Sequence, residues 1–151
     1  MHHPWRAFRE LSDWTLHWTD ELPPLQLGLT HFPTKTVWLA EGMTQAQRRC
    51  TIAHETQHIL RGPIPGDDWT REERTIDRLV GRLLLPRVGT IGHVLGWAVD
   101  FDEAASDLWV DLDTLMCRLR GLAPMERRRL QRMLRERDGL VDPAAAPRGA
   151  Q

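Results

Sequence analysis

The 151-residue sequence has no tyrosine, two cysteines and one lysine, Lys35. Without a phenol, any proton donor or oxyanion partner must come from histidine, arginine or an acid. Cys50 and Cys117 lack the paired spacing of a structural metal knuckle or a redox motif, so both read as small buried residues. No apolar run reaches the length of a membrane span, and the first ten residues have no apolar core of the signal-peptide kind. The expectation is a soluble, cytoplasmic protein with no membrane partner. A formal net charge of -1, with 27% of residues charged, supplies neither a general basic field for nucleic acid nor the acidic excess of a disordered chain. At 41% hydrophobic, the chain can bury one core of ordinary size.

What is present is concentrated in the run Thr51-Ile52-Ala53-His54-Glu55-Thr56-Gln57-His58-Ile59-Leu60, with two histidines four apart and a glutamate after the first. On an α-helix, residues four apart differ by about 40° in direction, so both imidazoles can grip one metal ion. Glu55 lies on the flank of that face, where it reaches a water without becoming a ligand. The pattern fixes only three identities and also occurs in proteins that bind no metal. A purely structural pair would be solvated or paired with backbone, whereas the surround here, Ile52, Ala53, Ile59 and Leu60, is apolar. Thr44 and Gln47 form a capping box and Gly62-Pro63 a stop, which predicts a helix over 45–61. Cys50, four residues before His54, shares that face as a candidate additional ligand.

Two histidines leave a catalytic zinc short of the usual three protein ligands. A turn-rich loop over 63–68 leads to a helix whose Ile76, Leu79, Val80, Leu83 and Leu84 make one buried stripe, ended by Pro86. Glu72 and Glu73 open this helix, each roughly 50° off the stripe. Periodicity does not choose between them. Thr70 would make a capping box with Glu73, and Glu72 has the alternative of a solvated first-turn acid.

Elsewhere, Trp5, Phe8, Leu11, Trp14 and Trp18 recur at helical spacing and predict an amphipathic helix over 4–18. Pro23 and Pro24 break it. The alternation of Leu25, Leu27 and Leu29 and the β-branched run over 36–39 then predict two short antiparallel strands, one with an edge open to an extended peptide. From Thr90 the chain reads as helices over 91–98, 102–109, 112–119 and 124–137. The fold class is α+β, mainly helical with a short antiparallel sheet and the histidine helix at its centre.

These features resemble the ImmA/IrrE family of HExxH metallopeptidases. The likeness is carried by Thr51-Ile52-Ala53-His54-Glu55-Thr56-Gln57-His58, by Glu72-Glu73-Arg74-Thr75-Ile76-Asp77-Arg78-Leu79-Val80 and by Leu83-Leu84-Leu85-Pro86. It spans about residues 36–86 and, more loosely, the chain to about 130. It implies a small zincin-like domain over 1–138, with a catalytic core at 1–89, a helical part at 90–138 and a flexible tail at 139–151. The family's Glu-x-x-Ala-Asp pattern falls on Glu73 and Asp77, with Ile76 and Val80 departing from its small residues. The implied site is zinc (Zn2+) on His54, His58 and Glu73, with Glu55 as general base, and the implied substrate a helix-turn-helix repressor that silences a phage or mobile element. Tyrosine being absent, His93 and Arg82 are the candidate oxyanion donors. A competing reading takes 102–121 as a helix-turn-helix followed by the arginine-rich 126–137, a DNA-binding or repressor-binding regulator with a non-catalytic metal site. Asp102, Glu103, Asp107, Asp111 and Asp113 oppose it by placing negative charge near phosphate.

Overall fold

The aromatic spacing at the N-terminus does not become one long helix. In the computed structural model of the protein, which describes residues 2–64 and 68–138, the stretch expected as a helix over 4–18 is helical only over α1 (Pro4–Arg9). Three strands follow: β1 (Thr15–Thr19), β2 (Gly28–His31) and β3 (Thr36–Ala40). Thr15, Trp18 and Thr19 suit a strand, and a non-local partner fixes the outcome. β1 runs parallel to β3, from Thr15 opposite Thr36 to Thr19 opposite Ala40. β2 and β3 are antiparallel, Gly28 facing Leu39 and His31 facing Thr36. The order β1-β3-β2 therefore makes a mixed three-stranded sheet where a purely antiparallel pair is expected from sequence.

Six helices complete the α+β chain: α2 (Gln45–Arg61), α3 (Trp69–Leu84), α4 (Val88–Leu95), α5 (Phe101–Asp107), α6 (Leu112–Arg120) and α7 (Pro124–Asp138). The capping box at α2 forms: Thr44 Oγ1 accepts from the Gln47 N–H at 3.2 Å, and the Gln47 side chain accepts from the Thr44 N–H at 2.9 Å. α2 is buried on two sides. Ile52 packs with Phe8, Val37, Leu39 and Met43 beneath the sheet. Cys50 and Ala53 pack with Ile76, Val80 and Leu84 of α3, in a core that extends to Ile91, Ala104 and Leu115. Each large apolar side chain fully buried there contributes roughly 1.5–3 kcal/mol. Rigid elements on both sides thus hold whatever α2 presents between them. Leu60, expected in the apolar surround of the histidines, is 62% exposed instead. The expected tail over 139–151 and the middle of the 63–68 loop lie outside the described residues.

A third cluster, Val88, Leu122 and Leu130, ties α4 to α7, and a charged latch reinforces it. Arg118 is 3% exposed; its Nε donates to Leu85 O at 3.0 Å, and its Nη1 donates to Glu126 at 3.1 Å. The arginine holds the Glu126 carboxyl down to about 2 from its ordinary 4.5, against the opposing effect of burial. A depressed folded-state pKa means stability that is complete above about pH 5 and lost as pH falls from 4.5 towards about 2. Glu126→Gln is expected to cost about 2 kcal/mol at neutral pH, because it leaves Arg118 buried without its counter-charge. In urea unfolding, the gap between variant and parent should narrow as pH is lowered through that window, and a gap independent of pH would refute the latch.

Candidate metal centre

Both histidines project from the C-terminal half of α2, His58 from its last turn, and α3 packs alongside. His54 Nε2 and His58 Nε2 are 3.1 Å apart. Glu73 reaches in from α3, its Oε2 3.2 Å from His54 Nε2 and its Oε1 2.9 Å from His58 Nε2. Glu72, its neighbour, turns the other way and forms a two-pronged ion pair with Arg61 of α2. The tie left by helical periodicity is broken by that tertiary partner. Nor does the Thr70–Glu73 capping box form, because α3 begins at Trp69, with Asp68 as its N-cap residue. Among the described residues, His54, His58 and Glu73 are the group whose ligand atoms all lie within 4.8 Å of one another.

These separations suit one small cation. Zinc bonds of 2.0–2.1 Å in a tetrahedron give ligand-to-ligand edges of roughly 3.3–3.5 Å. The two imidazole nitrogens here are 3.1 Å apart, slightly inside that span, and the Glu73 carboxylate bridges them with one oxygen towards each, Oε1 at 2.9 Å from His58 and Oε2 at 3.2 Å from His54. Glu73 Oε1 is buried and has no hydrogen-bond partner among the described residues, although His58 Nε2 is close. An acceptor facing another electron-rich atom at that distance is what a shared cation would satisfy. The field agrees in sign. Burial lowers the His54 imidazolium, but its contacts with Asp77 and Glu73 and the charge of Glu55 outweigh that and raise it to about 10. Burial raises the Glu73 carboxyl, but the imidazoles of His54 and His58 prevail and hold it at about 2. A cluster of side chains that so favours positive charge favours a divalent ion.

Behind the ligands, Asp77 Oδ1 lies 3.3 Å from His54 Nδ1. A carboxylate there fixes the proton on Nδ1 and leaves the Nε2 lone pair for the metal. Asp77→Ala is expected to weaken zinc binding about 10–100-fold in a competition titration with a chromophoric chelator; an unchanged affinity would show that the acid has no role at the metal.

Glu55 is buried beside the ligand group, its carboxyl raised by burial, with the nearby His54 charge and the Thr30 hydroxyl opposing the rise. Thr30 Oγ1 donates to Glu55 Oε2 at 2.7 Å from β2, the edge strand that packs against α2. Gly28, two residues earlier on the same strand face, makes room for the carboxylate: a Cβ there would stand 2.6 Å from Glu55 Oε1. Sequence reasoning passes over Thr30, which is 25 residues from Glu55. The lone glycine within the alternating run, between Leu27 and Leu29, is the one signal that points to a close backbone approach.

Other candidates are not brought to the site. Cys50 Sγ accepts from the Asp111 N–H at 3.4 Å inside the helical core, so it is no ligand. Arg82, more than two turns beyond Glu73 on α3, acts on Glu126 instead. His93 is exposed on α4, which packs against α5 and α7. Asp100, just before the 102–121 segment, and Asp111 within it serve as N-caps of α5 and α6, accepting from Glu103 N and Thr114 N, each at 2.8 Å. No helix among the described residues is long and apolar enough to cross a membrane. No family model, curated protein or solved structure matches the chain.

Proposed function

We propose that this protein is a zinc-dependent endopeptidase, similar to the ImmA/IrrE family and with a zincin-like catalytic core, that cleaves a helix-turn-helix transcriptional repressor and so relieves silencing of a phage or mobile element. The observation that carries the hydrolase reading is the convergence of His54, His58 and Glu73 beside a buried, unligated carboxylate on Glu55. The repressor as substrate rests on the sequence resemblance alone.

In this reading His54, His58 and Glu73 hold Zn2+, which supplies Lewis acidity, acidifying water and polarising an amide carbonyl. Glu55 accepts a proton from the attacking water and returns it to the departing amine nitrogen. Thr30 donates to Oε2 and so holds the Glu55 carboxylate in one orientation. The outer edge of β2 gives an extended peptide backbone hydrogen bonds beside Glu55.

A zinc-loaded sample incubated with a candidate helix-turn-helix repressor from the same source should yield two discrete fragments, lost on chelation and regained with zinc. Intact repressor after many hours, with zinc at one per chain, would refute the substrate. DNA binding finds less support, since Arg118 of α6 is buried and its guanidinium is paired with Glu126. The exposed arginines of α7 remain its basis, and the absence of any salt-sensitive affinity for duplex DNA is the expected result.

A further inference from the structure

Trp69 opens α3 and is 56% exposed, and what sets it apart from the other exposed tryptophans, Trp18, Trp97 and Trp109, is its place against a metal-ligand candidate. It stands four residues, one helical turn, before Glu73 and on the same side of α3. Its indole lies flat against the His58 imidazole, with centroids 5.3 Å apart and planes 7° from parallel. His58 itself is only 5% exposed, so the indole covers one face of a ligand ring and leaves much of its own surface free at the rim of the site. The nearest charged pair at that rim, Arg61 with Glu72, is closed upon itself. A substrate side chain arriving there meets an aromatic surface and no unpaired charge from that pair.

We propose that Trp69 is a specificity-determining residue, an aromatic platform that receives an apolar side chain flanking the scissile bond. The proposal rests on the hydrolase reading given above. An aliphatic or aromatic side chain loses water-exposed area against the indole, whereas a carboxylate gives up hydration and gains no partner. A substrate with leucine or phenylalanine at that position is therefore favoured over one with glycine or aspartate.

Amino-acid hydroxamates, which chelate zinc through a common head and differ only in side chain, separate this proposal from the metal reading. Calorimetric titration of the zinc-loaded protein is expected to give leucine and phenylalanine hydroxamates about tenfold tighter binding than glycine hydroxamate. Trp69→Ala should bring all three to within about twofold of one another while leaving the glycine compound unchanged. Trp69→Phe, which keeps a ring against His58, should retain roughly threefold discrimination and serves as the check on folding. Full discrimination in either variant, or none in the parent with zinc bound, overturns the role of Trp69. Zinc content measured on each sample tells the two failures apart, since a parent protein that holds no zinc brings down the hydrolase reading and this proposal with it.

Discussion

His58→Ala is expected to leave the protein without stoichiometric zinc. The imidazole is buried, and its Nε2 lies between the other two ligands, 3.1 Å from His54 Nε2 and 2.9 Å from Glu73 Oε1. Two protein ligands then remain where catalytic zinc sites use three. Loss of a supporting group behind a ligand costs about 10–100-fold, and loss of a ligand should exceed that, to roughly 1,000-fold or more. The check is elemental analysis after dialysis against a weak chelator. Thermal unfolding provides a second measurement, because an ion that binds only the folded state raises the parent's midpoint and leaves the variant's where it was. One zinc per chain retained by the variant would mean that the metal lies elsewhere.

Glu55→Gln is expected to keep zinc and lose cleavage by about 100- to 10,000-fold. The amide has nearly the shape of the carboxylate, and its oxygen still accepts from Thr30, so β2 and α2 should stay in place. What disappears is the basic oxygen that takes a proton. Since burial raises the Glu55 carboxyl above its ordinary value, neutralising it should leave stability unchanged or slightly improved. Single-turnover cleavage, zinc content and unfolding midpoint measured together distinguish this from general damage. Turnover at the parent's rate with zinc bound would falsify the assignment of Glu55.

Much of the centre was legible because its signals are local. The Thr44–Gln47 box and the stop at Gly62 bound α2, and the four-residue spacing of His54 and His58 fixes their shared face. The stripe of α3 was equally readable, Ile76, Val80 and Leu84 being buried as their spacing requires. Where the outcome depended on a distant partner, local pattern failed or tied. Trp14 and Trp18 continue a helical spacing from Trp5, yet they flank and enter a strand because β3 offers hydrogen bonds and Phe32 an edge-on ring for Trp14 at 5.5 Å. Glu72 and Glu73 were equivalent until Arg61 of α2 engaged one of them. The support of Glu55 by Thr30 and the stacking of Trp69 on His58 are likewise contacts between elements, which no window of ten residues contains.

The close approach of Gly28 to Glu55 makes the short hairpin more than a wall. Because side chains alternate along a strand, slippage of β2 by one residue against β3 would withdraw the Thr30 hydroxyl and drive a larger neighbour's side chain towards the carboxylate, as Leu29 lies between the two contact positions. Pairing of β2 in register and the support of Glu55 by Thr30 are thus one event, and in the proposed reading a slipped strand would leave the base without its hydroxyl partner.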